Sequence, residues 1–180
     1  RYQIEVNLIS VLIVTKAFLP LLGADRSLRG KPGRIINMSS VSGKFGFPFI
    51  GAYVASKHGL EGFSESLRRE LMLYGIDVIV IGPGAIATPI WNKADQVDLS
   101  MYANTEYVEP ARRVQAFMIQ NGRNGLPPEK VGEITWHALT TPKPRVRYTV
   151  APGNPISRYI QMLLPKRLID RFVAKNLGFK

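Results

Sequence analysis

Tyr74-Gly75-Ile76-Asp77-Val78-Ile79-Val80-Ile81-Gly82-Pro83-Gly84 is the stretch on which the fold turns. Ile76 to Ile81 is the clearest strand in the chain, a β-branched run stopped by Gly82-Pro83-Gly84. Just before it, from about Ala52 to Tyr74, Val54, Leu60, Phe63, Leu67 and Leu71 recur at helical spacing, with a charged flank at Glu61, Glu65, Arg68, Arg69 and Glu70. Gly75 reads as the C-cap of that helix. A helix passing straight into a β-branched run through one glycine is the αβ half of a parallel α/β unit.

Upstream, Gly33 to Met38 is a short apolar run ending in serines, expected to be a strand buried on both faces. A loop with Gly43, Gly46, Pro48 and Gly51 joins it to the helix. From Arg1 to about Leu22, the residues Ile4, Leu8, Val11, Leu12, Thr15, Phe18, Leu19 and Leu22 predict another helix, closed by Pro20 and Gly23. Downstream, helices are expected over Glu109 to Gln120 and Pro128 to Leu139, and a last strand over Arg145 to Ala151. Residues 156 to 177 carry an apolar stripe at helical spacing, interrupted by Pro165. There is no internal repeat and no low-complexity segment.

The 180 residues, 46% hydrophobic, suit one globular domain. The net charge of +11 is lopsided: residues 143 to 180 hold nine basic groups against the single acid Asp170. No basic run is interleaved with stacking aromatics, so no nucleic-acid partner is expected. With no cysteine, a disulfide scaffold, a thiolate metal site and a cysteine nucleophile are excluded, and His58 and His137 alone predict no metal site. No apolar run reaches the 18 or so residues of a spanning helix and no export leader opens the chain, which predicts a cytoplasmic protein. Arg1 begins inside what reads as a helix, so the sequence is expected to be the later part of a longer one. The tail admits one departure from the cytoplasm. Over 156 to 177 the apolar stripe runs beside Arg158, Lys166, Arg167, Arg171 and Lys175, a pattern that suits peripheral membrane contact as well as a lid over a pocket.

Tyr53 and Lys57 stand four apart near the start of the long helix, so both project from one face. An ammonium beside a phenol stabilises the phenolate, and such a phenol can serve as general acid or base. Ser39, Ser40 and Ser42 follow the C-terminal end of a strand, where open parallel sheets place their ligand sites. A chance pair on a solvated helix face is the bland alternative, and it weakens once the flanking segments are added. His58 is expected to be a partly buried spacer and Asp77 a solvated strand edge.

The succession of Asn37-Met38-Ser39-Ser40, a glycine-bearing loop, Tyr53-Val-Ala-Ser-Lys57, a helix, a strand and Pro83-Gly84-Ala-Ile-Ala-Thr88 resembles the short-chain dehydrogenase/reductase family, in one register from Asn7 to Thr88. The resemblance implies a Rossmann-like, doubly wound parallel sheet, present here as its later half, the fifth to seventh strands with flanking helices. It implies catalytic roles for Ser40 on the substrate oxygen, Tyr53 as proton donor or acceptor, Lys57 on the nicotinamide ribose, and Asn7 in support of a proton-relay water. It also implies that Pro83, Gly84, Ile86 and Thr88 receive the nicotinamide of NAD or NADP. Residues 1–90 would be the catalytic half and 91–140 a substrate-binding segment, with Trp91, Met101, Tyr102, Tyr107, Phe117 and Met118 available as an apolar lining. Residues 141–180 would be the last strand and basic tail.

The function so implied is an oxidoreductase interconverting a secondary alcohol and a ketone, in a homodimer formed through the helices around Asn7 and Lys57. The Arg145-Val-Arg147-Tyr148 strand and the tail resemble the steroid and retinoid branch, which favours an apolar substrate. The family's Thr-Gly-x-x-x-Gly-x-Gly phosphate loop and its Asn-Asn-Ala-Gly strand end are not in these residues. Three βα units of about 30 residues would place roughly 100 residues upstream. The rival expectation is therefore an inactive fragment or interaction module, its fifth strand left as an unpaired edge. A hydrolase is disfavoured, because no Gly-x-Ser-x-Gly elbow is present.

Overall fold

In the computed structural model, which describes residues 1–28, 30–153 and 163–178, the first helix is not uniform. Helix α1 runs as α-helix over Tyr2–Ile4, as a π turn over Glu5–Ile9 and as α-helix again over Ser10–Phe18. The Ser10 N–H reaches back five residues to the Glu5 carbonyl, which inserts one residue into the helical ladder. Apolar steps of three and four residues absorb such an insertion, so the periodicity does not reveal it. Gly23, at φ +112, ends the following 3-10 turn Pro20–Leu22 in the left-handed region.

Strand β1 spans Arg34–Met38, helix α2 spans Gly51–Glu70 and continues as a 3-10 turn to Tyr74, and strand β2 spans Asp77–Pro83. Gly75 joins the last two at φ +70, a left-handed position where a side chain would be strained. Four further helices and a strand follow in the described chain: α3 over Ile90–Asp95, α4 over Val108–Arg123, α5 over Pro128–Thr140, β3 over Arg147–Val150 and α6 over Lys166–Leu177. Neither α3 nor the short turn Ser100–Tyr102 is visible as a periodic signal in the sequence. Pro165 stands at the N-cap of α6. Ile156, Arg158 and Ile160, part of the predicted tail stripe, lie outside the described residues. Among the described residues no helix is long and apolar enough to cross a membrane.

The residues cluster into two compact units. The first comprises Arg1–Gly84 and Pro127–Ala151, and the second Ala85–Leu126 with the described part of Pro152–Lys180. In the first unit the strands form a parallel sheet in the order β1-β2-β3. Ile35 pairs with Val78, Asn37 with Val80, and Val80 with Arg147. Strand alternation puts these residues on the sheet face covered by α2, where Ile35 and Val78 pack with Leu67 and Leu71. Ile79, Ile81 and Tyr148 alternate to the other face. There the Tyr148 ring meets His137 of α5 edge-on, with ring centroids 5.9 Å apart.

Strand β2 is buried over Val78–Gly82, as its unbroken apolar run predicts. Strand β1 departs from its prediction: Ile35 and Asn37 are buried, while Met38 is exposed. It pairs on one side only in the described sheet, so the apolar run that suits a central strand is half covered. In the second unit α4 is the hub. Trp91 of α3 lies against Gly122 of α4, Gln115 donates to the Ala94 and Val97 carbonyls, and Arg113 donates to the Leu177 carbonyl at the end of α6.

Candidate active site

The face of α2 that carries Tyr53, Lys57 and Glu61 at successive four-residue steps is half-buried to buried. The Lys57 Nζ lies 5.8 Å from the centre of the Tyr53 ring, within cation–π range, and donates to the Met38 carbonyl at 2.8 Å. Burial lowers the Lys57 pKa from the ordinary lysine value, because the charged form loses hydration. Asn7 reaches the same helix: its Nδ2 donates to Ser56 Oγ at 3.2 Å, and that hydroxyl donates to the Tyr53 carbonyl at 2.7 Å. Asn7 lies in the π turn of α1, where the inserted residue alters the face it presents. Ser56 is a tie that sequence reasoning missed. Its small polar side chain beside Tyr53 is the only signal that pointed to it.

At the end of β1 the chain turns through Ser39 and Ser40 into the 3-10 turn Val41–Gly43. Ser40 caps this turn, its Oγ accepting from the Ser42 N–H at 3.1 Å. The same hydroxyl donates to the Pro83 carbonyl at 3.3 Å, the long end for an O–H···O bond. Ser40 thus follows the end of β1 and meets the end of β2. Gly84 follows against Ala151, whose Cβ would meet a side chain there at 2.5 Å. Ser39 Oγ is buried without a hydrogen-bond partner, so Ser39 is not one of the turn's capping groups. Phe49, four residues before Tyr53, holds φ +66, a left-handed backbone that costs a non-glycine residue about 1–2 kcal/mol. No sequence signal marks it.

Glu61 is the acid that the sequence hides best. It reads as one of five charged flank residues, yet it is buried, with the Arg147 Nε 3.2 Å from both carboxylate oxygens and Lys44 Nζ at 3.3 Å. Asp77 is exposed at the start of β2, as expected of a solvated strand edge, and pairs with Arg34 at 3.3 Å. His58 is exposed rather than partly buried, because it points off the far side of α2, with Nδ1 3.0 Å from the Val54 carbonyl.

Ile86 and Thr88 belong to the second unit. Ile86 pairs with Leu126 as a parallel bridge and its carbonyl accepts from the Trp91 indole at 2.7 Å, while the Thr88 carbonyl accepts from the Trp91 N–H at 3.4 Å. Of the apolar residues singled out in 91–140, Met101, Tyr107 and Phe117 are exposed on this unit, and Trp91, Tyr102 and Met118 are half-buried. In the first unit a groove of about 470 Å³ runs between α1 and the open side of β1. Asn7, Met38 and Lys57 line it, together with Val6, Val11 and Ile36.

The model of the family described as short chain dehydrogenase matches residues 1–98, more than half of the chain and all of the segments just described up to β2. The chain belongs to the short-chain dehydrogenase family. The NADPH-dependent 3-dehydrocapnine reductase of Ornithobacterium rhinotracheale is 37% identical over 177 residues, covering 98% of this chain and 62% of that protein. The human 17-beta-hydroxysteroid dehydrogenase type 6 is 32% identical over 187 residues, covering 97% of this chain and 56% of that protein. This short-chain dehydrogenase chain therefore spans about three-fifths of the length of the curated relatives it matches. A short-chain dehydrogenase from Burkholderia phymatum, solved in complex with NAD, superposes with a TM-score of 0.68 at 21% identity, over 93% of this chain and 57% of that one. The shared fold is thus part of a Rossmann-like short-chain dehydrogenase sheet, with β1, β2 and β3 as its parallel strands.

Proposed function

We propose that the protein interconverts a secondary alcohol and a ketone with NAD or NADP, using Tyr53 as proton donor or acceptor. The observation that carries this reading is the fixed arrangement of α2 against the sheet end: Asn7 tied to Ser56, Lys57 on the Met38 carbonyl beside the Tyr53 ring, and Ser40 on the Pro83 carbonyl. The names of the relatives, a dehydrocapnine reductase and a hydroxysteroid dehydrogenase, favour carbonyl–alcohol chemistry on an apolar substrate.

The donor set suits the nicotinamide-ribose end of the cofactor. Among the described residues Lys57 uses one of its three N–H groups, on Met38, leaving two for a ribose diol. Pro83 ends β2 with its carbonyl on the Ser40 hydroxyl, Gly84 comes next, and Ile86 and Thr88 follow them in sequence. No Thr-Gly-x-x-x-Gly-x-Gly loop lies within residues 1–180, so these residues account for the nicotinamide half only. When bound, the nicotinamide supplies or accepts the hydride.

The chain's own residues handle the proton and the geometry. Ser40 exchanges its long bond to Pro83 for one to the substrate oxygen and so orients it. The Tyr53 hydroxyl passes the proton to or from that oxygen. Lys57, as a cation beside the ring, favours the phenolate and offers a second hydrogen bond to the ribose. Asn7 holds the start of α2 through Ser56 and thereby fixes Tyr53.

The test is Tyr53→Phe in the protein together with any residues that precede Arg1 in its native chain. Turnover of a hydroxysteroid or its ketone should fall about 10²–10⁴-fold, the usual contribution of a positioned acid or base, with NADPH and NADH affinity unchanged in a fluorescence titration. A variant that keeps most of its kcat removes Tyr53 from the chemistry.

A further inference from the structure

We infer that Arg147 is a positioning residue for the Ser40 hydroxyl, acting through the Ser40 carbonyl. The inference rests on the reading above, in which Ser40 holds the substrate oxygen, and extends it to a residue on a different strand.

Arg147 opens β3 opposite Val80 of β2, on the sheet face that α2 covers. Its guanidinium has five N–H donors in one plane, and each group it meets comes from a different part of the chain. Nε donates to both Glu61 oxygens at 3.2 Å, one terminal nitrogen donates to Thr149 Oγ1, and the other donates to the Ser40 carbonyl at 3.2 Å. Glu61 stands eight residues after Tyr53 and four after Lys57 on the same face of α2. One side chain therefore fixes the backbone of the serine against the helix that carries the tyrosine.

Two features argue that this placement is specific. The guanidinium lies against Gly82 so closely that a Cβ there would come within 2.3 Å of its terminal nitrogen, so a larger residue would push the fork from this position. The cluster also leaves a net positive charge in a half-buried site, since Arg147 and Lys44 share the single carboxylate of Glu61. Buried ion clusters are an inefficient source of stability compared with apolar packing, whereas they define geometry sharply. With its carbonyl held by Arg147 and its Oγ held by the Ser42 N–H, Ser40 is constrained on both sides of its Cα.

The experiment is a double-mutant cycle between Ser40→Ala and Arg147→Lys. A lysine keeps the charge opposite Glu61, yet its ammonium lacks the planar fork that serves Glu61, Thr149 and Ser40 together. Arg147→Lys should lower kcat about 10- to 100-fold, as small misplacements do, with the cofactor Kd unchanged. In the Ser40→Ala background the same substitution should cost nothing further, a coupling that a merely structural role does not produce. Glu61→Gln should behave the same way and serves if the lysine variant folds poorly. Additive losses in the cycle would overturn the proposal while leaving the Tyr53 chemistry standing. Should Ser40→Ala alone leave kcat unchanged, the serine's assigned role falls and this inference with it.

A second readout needs no turnover. Hydrogen exchange of the Ser42 amide, whose N–H is held by Ser40, should accelerate at least about tenfold in Arg147→Lys, while the Ile79 and Ile81 amides keep their protection. An unchanged Ser42 rate would overturn the proposal.

Discussion

In the first compact unit Asn7 bonds Ser56, Asn37 bonds Ser64 and Arg147 bonds Glu61, pairs separated by 49, 27 and 86 residues. Among the described residues of the second unit most side-chain bonds are local or go to helix ends, Asp98 to Ser100, Glu109 to Arg112, Gln115 to the Ala94 and Val97 carbonyls and Arg113 to the end of α6, and the one side-chain pair of long separation, Arg123 with Asp95, is exposed. Exposure does not follow that division: Tyr2 at 80% and Trp136 at 69% stand in water on the first unit as Met101 at 75% and Phe172 at 69% do on the second, and each unit has its buried apolar residues, Ile79 and Ile81 in the first and Val114 in the second. Buried polar groups tolerate few alternative partners, so the unit that contains them is held in one arrangement. The second unit, which shows none among its described residues, is free to vary its surface, and that is where loops and short helices bring chemical variety to a scaffold.

The largest expected effect breaks the two units apart energetically. Ile79→Ala should lower the stability of the protein by about 2–5 kcal/mol in urea denaturation, while Phe172→Ala should stay within about 0.5 kcal/mol. Equal losses would mean that the exposed apolar surface of α6 is covered in solution. A sharper case within the second unit is Gly122→Ala. The Trp91 indole occupies the space a Cβ would need, at 2.0 Å, so overpacking should cost about 1–3 kcal/mol despite the better helix propensity of alanine. A shift of Trp91 fluorescence to longer wavelength should accompany it. A neutral, spectrally silent variant would show that this unit yields even at its tightest point.

The smallest effect concerns pH. Burial puts the folded pKa of Lys57 below the unfolded value of 10.5, so between the two the unfolded chain binds the proton more tightly. The penalty is fully present below the folded pKa and vanishes as pH rises toward 10.5, so stability gains with pH in that window. Lys57→Met removes the penalty at every pH, and its advantage in urea midpoint over the native protein should therefore shrink as pH rises toward 10.5. A difference that stays flat would show Lys57 to be hydrated.

Much of the first unit was legible in the residues. The Ile76 to Ile81 run, the Gly75 turn and the amphipathic helix before it define an αβ unit by local patterning alone, and the structure reproduces them within a residue or two. Tyr53 and Lys57 were legible for the same reason: four residues on a helix is a geometric statement. The second unit was harder to read because α3 is a single short helix without periodicity, and its apolar residues suit a lining and a core equally.

What the sequence by itself determined, then, is whatever acts over one or two turns: the strands' apolar runs, the pairing of Tyr53 with Lys57, and the caps made by glycine and proline. Only the tertiary structure decided that Glu61 leaves its charged neighbours for the interior, because the partner that makes burial of a carboxylate tolerable stands 86 residues away and is delivered by the parallel register of Val80 with Arg147. The same holds for the one-residue π insertion at Asn7 and its bond to Ser56, for the left-handed Phe49, and for the half-covered β1, whose apolar sequence calls for neighbours on both sides while its environment is set by which strands lie beside it. Long-range pairing selects among local possibilities that the chain leaves energetically close, and that selection cannot be read from a window of neighbouring residues.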